Sequence, residues 1–239
     1  MEGFILAAGL GTRLRPLTND RPKAMVEVNG HPLLELAIQR LASAGAQRIV
    51  VNVHHFADQV EAFLASHPWP CPVTVSDERS LLLDTGGALR HAAPLFSRAD
   101  DILIHNVDVL STLDLRDLLA RHRAEGNLAT LCCSDRPTQR RLLFDEDRRL
   151  LGRDNNTHNS QFKIQNSLPL AFSGIAVVHP SMLDMLPDAD HPYSIIDQYI
   201  RLAASHPIRC HLHAAAQWLD VGRLETLEKA QSWYPSSIK

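Results

Sequence analysis

The stretch from Gly9 to Lys23, GLGTRLRPLTNDRPK, sets two glycines, two hydroxyls and four basic residues in one loop. It follows directly on the apolar run GFILAA. A strand that ends in a glycine-rich, basic loop can present backbone N–H groups and cations to phosphate. Two familiar versions of that device are excluded. A dinucleotide fingerprint beginning at Gly9 requires glycine at position 14, which is Leu14. No G-x-x-x-x-G-K-[ST] string occurs, so the loop is not a P-loop. Chemistry at phosphate also calls for a hard cation held by oxygen ligands. Asp108 closes the apolar strand DILIHNVD, and Asp220 lies in WLDVG, a second strand-end setting. In open α/β sheets such strand ends line the ligand crevice. Taken singly, each aspartate also reads as a helix cap or turn residue, and the loop as a solvated turn.

The elements that would position these groups follow from the apolar patterning. GFILAA is a short continuous run suited to a strand buried on both faces. MVEVNG reads as a second short strand ending in an Asn-Gly turn. Pro32 to Ala44 carries apolar residues at helical spacing, with Pro32 suited to the first turn and Gly45 to the stop. QRIVVNV, CPVTVSD and DILIHNVD read as strands. FADQVEAFLASH, the segment near GGALRHAAPLF, and LRDLLARHRAEG read as helices between and after them. This alternation predicts a parallel sheet with helices on both faces. Beyond Gly126 the pattern changes. NLATLCCSD and RRLLFDEDRRLL read as strands, the latter around an acidic turn at Asp145 to Asp147. GRDNNTHNSQ reads as a loop, LAFSGIAVVHP as a strand and YSIIDQYIRLAAS as a helix. The C-terminal part reads as two short strands and a helix. No repeat or linker interrupts the chain, so residues 1–239 are expected to form one domain.

Composition narrows the function classes. A chain of 239 residues, 45% apolar and 21% charged, with a formal charge of −3, has no global attraction for nucleic acid or anionic membrane. Any anion site must be local. Cys71, Cys132, Cys133 and Cys210 form no C-x-x-C pair, which argues against a zinc site or redox dithiol. With no signal segment and no membrane-length apolar stretch, a cytoplasmic protein is expected. Thirteen histidines are scattered without metal-type or Ser-His-Asp spacing, and the adjacent His54 and His55 are read as structural. Nothing in the sequence speaks to oligomeric state.

The joint string G-x-G-T-R-x-x-P-L-T-x-x-x-P-K resembles the signature of the sugar-1-phosphate nucleotidyltransferases, in which this loop wraps the triphosphate of a nucleoside triphosphate. The resemblance implies a mixed, mostly parallel α/β sheet flanked by helices, of the nucleotide-diphospho-sugar transferase type. It implies magnesium as cofactor, and a nucleoside triphosphate and a sugar 1-phosphate as partners, with neither nucleic acid nor membrane. Carried over by position, Leu6, Ala7, Ala8, Gly9, Gly11 and Thr12 would bind nucleotide. Gly9 and Gly11 would admit a close backbone approach. Arg13 would hold the departing pyrophosphate with its planar fork, and Lys23 would bring a compact charge to the α-phosphate. Asp108 and Asp220 would hold the metal.

LLDTGGALRHA resembles the family's E-T-G-G segment, with Asp84 in place of the usual glutamate and Gly86 and Gly87 toward the base. A plain strand-to-helix turn is the other reading of those glycines. Asn106, Gly174 and Lys163 are the further acceptor candidates, although a glycine inside a strand also marks a bulge. One departure stands out: Val107 precedes the first metal aspartate where the family often has glycine, which would narrow the space beside the sugar or shift the backbone slightly. The first 64 residues are most similar to N-acetylmuramate-1-phosphate uridylyltransferases and mannose-1-phosphate guanylyltransferases. Heptose-1-phosphate guanylyltransferases, choline-phosphate cytidylyltransferases and a non-catalytic nucleotide-sugar sensor are the alternatives.

Overall fold

The computed structural model describes residues 1–154 and 167–233. The first apolar run forms β1 (Glu2–Leu6), and the loop after it contains two single 3-10 turns, Thr12–Leu14 and Lys23–Met25. MVEVNG closes a small hairpin, β2 (Glu27–Val28) with β3 (His31–Pro32). Asn29 and Gly30 both take positive φ there, 53° and 81°, as a tight Asn-Gly hairpin turn requires. Helix α1 (Leu33–Ser43) buries Leu33, Leu34, Leu36, Ala37, Ile38 and Leu41. It ends just before Gly45, whose φ of 98° takes the chain out of the helix.

The alternation then runs as expected through β4 (Ile49–Val53), α2 (Ala57–Ala65), β5 (Val73–Asp77), α3 (Asp84–His91) and β6 (Ile102–Asn106). A three-residue strand that the patterning did not predict, β7 (Val109–Ser111), follows at once. Helix α4 (Leu115–Ala124) starts at Asp114, whose carboxylate accepts from the Arg116 and Asp117 N–H groups. Next come β8 (Ala129–Ser134) and the hairpin of β9 (Arg141–Phe144) and β10 (Leu150–Arg153), which encloses the acidic turn. The long β11 (Leu168–Val178), α5 (Met182–Met185), α6 (Ile195–Ala203), β12 (Ile208–Leu212), β13 (Trp218–Asp220) and α7 (Leu224–Trp233) complete the chain.

Nine strands form one mixed sheet, with the path β10-β9-β11-β6-β1-β4-β5 and with β8 bridging β11 to β12. The mixed, mostly parallel sheet flanked by helices is borne out. Its β6-β1-β4-β5 half is parallel, whereas β11 runs antiparallel to β6, β8 and β9. Alternate residues of the central strands feed two cores, one on each face. Ile5, Ile49, Val51, Leu103 and Val177 pack with α1, α2, α4 and α7. Phe4, Val50, Ile102, Ile104 and Val178 pack with α3, α5 and α6. Burial on both faces is why these strands read as unbroken apolar runs. Among the described residues no helix is long and apolar enough to cross a membrane.

Among the described residues several polar ones are buried in this sheet, and His105 is the one histidine among them on its central strands. His105 on β6 is 1% exposed, with Nδ1 2.8 Å from the Asn106 carbonyl oxygen, so that nitrogen carries the donated proton. Burial is the main cause that pulls its pKa down to about 4. The folded protein therefore holds His105 neutral, and the unfolded chain protonates it near the ordinary value of about 6.5. Its contribution to stability is complete above that pH and is lost as the pH falls toward 4. A His105→Leu variant is expected to lose stability less steeply over this window. Urea denaturation at a series of pH values measures it, and parallel curves for the two proteins would refute the assignment.

Candidate active site

The site forms where the carboxyl ends of β1, β4 and β6 open, on the edge predicted to bind ligand. The loop after β1 is first fixed by its own backbone. Ala7 and Ala8 N–H both donate to Asn52 Oδ1 on β4, at 2.6 and 3.2 Å. Asn52 Nδ2 donates in turn to Glu78 Oε1 at 2.8 Å, and Glu78 Oε2 accepts from the Leu83 N–H at 3.1 Å. Glu78 is 1% exposed, and burial raises its pKa against the pull of those two donors. This buried relay joins the β1 loop to the segment that enters α3. His54 Nδ1 lies 2.7 Å from the Glu78 carbonyl oxygen, in keeping with a structural histidine. Neither Asn52 nor Glu78 was singled out from sequence, because a lone Asn and a lone Glu on successive strands carry no local pattern.

Further along the loop, Gly11 takes φ of 64° and its carbonyl accepts from the Leu14 N–H and the Thr18 hydroxyl. A Cβ at Gly11 would lie 3.0 Å from both the Lys23 and the Thr18 side chains. Leu14, fully buried, anchors the loop in the core, while Thr12 and Arg13 remain exposed. Lys23 passes beneath the glycines, with Nζ 3.5 Å from where a Gly9 Cβ would stand. The same ammonium pairs with Asp108 Oδ2 at 2.9 Å.

The unpredicted β7 is what joins the two aspartates. It pairs antiparallel with β13, matching Asp220 to Val109, and the Val221 N–H donates to the Asp108 carbonyl at 2.9 Å. The point where a Cβ on Gly222 would stand lies 2.8 Å from Asp108 Oδ2, 2.8 Å from Asp220 Oδ1 and 3.1 Å from Arg13 Nη2. Arg13 and Lys23 from one loop, and Asp108 and Asp220 from distant parts of the sequence, therefore share one small volume. Gly222 leaves that volume open, and the Gly222 N–H donates to Asp220 Oδ1 at 2.7 Å. In sequence this glycine closes the string WLDVG, two residues after Asp220.

Asn106 and Gly174 also meet. Gly174 takes φ of 72° at a register break in β11 between Phe172 and Ala176, so the bulge reading holds. A Cβ there would come within 2.7 Å of Asn106 Nδ2. Val107 corrects an expectation: its side chain is fully buried in the core and does not narrow the space beside Asp108.

Gly86 and Gly87 serve packing. A Cβ at Gly86 would come within 2.5 Å of the Tyr193 ring, and both N–H groups donate to the Tyr193 carbonyl. Asp84 is exposed at the start of α3, with φ of 56° and its carboxylate on the Thr85 N–H. Lys163 lies outside the described residues. Among the described residues, no three His, Cys, Asp or Glu side chains group as a metal site.

Residues 2–142 match the family model described as nucleotidyl transferase. The chain belongs to that family. It is 35% identical over 226 residues to N-acetylmuramate alpha-1-phosphate uridylyltransferase of Caulobacter vibrioides, covering 92% of this chain and 90% of that one. It is 28% identical to mannose-1-phosphate guanyltransferase of Pichia angusta, where it spans 65% of the relative's length. A solved structure of UDP-glucose pyrophosphorylase from Acinetobacter baumanii superposes with a TM-score of 0.80 at 19% identity, over 98% of this chain and 92% of that one. The fold is thus that of sugar-nucleotide-forming enzymes, and the chain is a nucleotidyltransferase.

The relay makes the nucleotidyltransferase loop dependent on one amide. Asn52→Ala strands two buried N–H groups and one lone pair of Glu78, and should cost about 1–3 kcal/mol. Thermal denaturation checks the cost. Hydrogen exchange should show the Ala7 and Ala8 amides losing protection selectively, and unchanged protection would exclude the relay as the anchor.

Proposed function

We propose that residues 1–239 act as a single catalytic domain that transfers a uridylyl group from UTP to N-acetylmuramate 1-phosphate or a related hexose 1-phosphate, releasing pyrophosphate. The observation that carries the reading is the convergence of Asp108, Asp220, Arg13 and Lys23 on the open volume beside Gly222. The uridylyltransferase relative, matched over nine tenths of both chains, favours uridylyl transfer over guanylyl transfer. Four free thiols suit a reducing cytoplasm as the place of work.

The donor set fits magnesium. Asp108 and Asp220 offer hard oxygens facing one point and would hold the ion there. When bound, magnesium supplies charge screening between the two anionic substrates.

The protein's own groups do the remaining work. The phosphate oxygen of a sugar 1-phosphate is already ionised near neutral pH, so its in-line attack on the α-phosphorus needs no general base. Lys23, whose long stem lets its ammonium move between Asp108 and a neighbouring anion, meets the charge that grows on the α-phosphate oxygens. Arg13, exposed at the rim, binds the departing pyrophosphate through its planar fork. Gly9 leaves room for the triphosphate against the backbone, and Gly11 lets the loop turn tightly over Lys23 and Thr18. Because the Ala7 and Ala8 N–H groups are engaged by Asn52, these two residues offer the nucleotide their carbonyls and shape. Asn106 and Gly174 border the acceptor, and catalysis rests on positioning and electrostatics throughout.

Pyrophosphate release measured across five nucleoside triphosphates and a panel of sugar 1-phosphates, with phosphocholine included, should peak for UTP with an N-acetylmuramate or hexose acceptor. A maximum with GTP and mannose 1-phosphate, or silence with nucleotide still bound, would overturn the assignment. Lys23→Ala and Asp108→Asn should keep the wild-type circular dichroism spectrum and lose at least about a hundredfold in turnover, the scale of one charge-stabilising group. Near-normal turnover in either would refute its role.

A further inference from the structure

The strand that carries Asp220, β13, has three residues and pairs with the three residues of β7. Val221, next to Asp220, is buried in the core and fixes one side of the strand. The other side is held by Trp218, two residues before Asp220. Its indole Nε1–H donates to the Ser173 carbonyl at 2.7 Å, and the Arg136 guanidinium lies over its ring at 3.9 Å.

Arg136, which follows β8, is itself locked. Nη1 lies within 3.2 Å of Ser134 Oγ, Ser173 Oγ and the Ala171 carbonyl oxygen, and Nη2 donates to the Phe172 carbonyl at 2.6 Å. Ser134 and Ser173 are at most 1% exposed. Ser173 extends the chain of bonds. His213 Nδ1 faces the Ala214 carbonyl oxygen, which can only accept, so Nδ1 donates there and Nε2 accepts from the Ser173 hydroxyl at 2.8 Å. Burial lowers the His213 pKa, which keeps that tautomer neutral. The fork geometry of an arginine suits this set of acceptors, and a lysine could satisfy only part of it.

We propose that Arg136 is a positioning residue for the Asp220 carboxylate, acting through the Trp218 ring. The clamp ties β13 to the bulge of β11 that carries Gly174, so the carboxylate and the Gly174–Asn106 corner are held in one frame. The proposal rests on the reading of Asp220 as a cation ligand. Residues that orient a metal ligand typically change metal affinity by about 10-fold or more when lost.

The test is Mn2+ binding to the full chain, followed by water-proton relaxation with Mn2+ alone. Arg136→Met should bind Mn2+ about 10-fold more weakly than wild type, and Arg136→Lys should recover part of that loss. Trp218→Phe keeps a ring face and drops the bond to Ser173, and it should weaken binding about threefold or more. It decides the matter if Arg136→Met does not fold, as judged from melting without metal. Wild-type binding by these variants, with binding lost in Asp220→Asn, overturns the clamp alone. Wild-type binding by Asp220→Asn, or none by the wild type, overturns the ligand reading beneath it.

Discussion

Two carboxylates that converge on one point beside Gly222 impose the demand that the rest of the molecule answers. Like charges repel, and Asp108 is only 6% exposed, so water screens little of that repulsion. The Lys23 ammonium, 2.9 Å from Asp108, offsets it on one side, and the Arg13 guanidinium stands at the rim on the other. A loop that carries both cations past the same point must be held to the angstrom. Asn52 and Glu78 do this from beneath through wholly buried hydrogen bonds, where an unmet partner is costly. The Gly11 turn does it from within the loop.

Each half of the sheet contributes what its geometry allows. Parallel strands end on the same edge, so β1, β4 and β6 deliver the loop, Asn52 and Asp108 together. Antiparallel strands cannot, and the chain brings Asp220 back through a separate ribbon, β7 with β13. β11 is the seam between these arrangements. Its register break at Gly174 bends one strand that pairs first with β9 and later with β6, and it sets Gly174 against Asn106.

How much of this could be read from residues alone follows from range. The parallel half was legible because double burial writes itself as apolar runs, and helix stops write themselves as Gly45 and similar signals. The Gly9–Lys23 string was legible because its chemistry lies within fifteen consecutive residues. β7 was not, since three residues directly after an aspartate carry no period. Asn52, Glu78 and Arg136 were not, since each acquires its role from partners on other strands and has no local pattern of its own. Gly86 and Gly87 also have a packing role that their local sequence does not show, since Tyr193 fills the space beside them.

Val107 shows why chemistry and selectivity separate in such a site. Val107 precedes Asp108 directly, yet its side chain enters the core and its backbone N–H donates to the Leu6 carbonyl. Alternation along a strand decides this: with Asn106 turned toward Gly174, the next side chain must point to the opposite face. A larger residue at position 107 therefore changes packing under the loop and leaves the acceptor side untouched. The face that Asn106 and Gly174 border owes its shape to a bulge. Charge placement, by contrast, is set by residue type at a few fixed points, which is why the reaction was readable before the acceptor was.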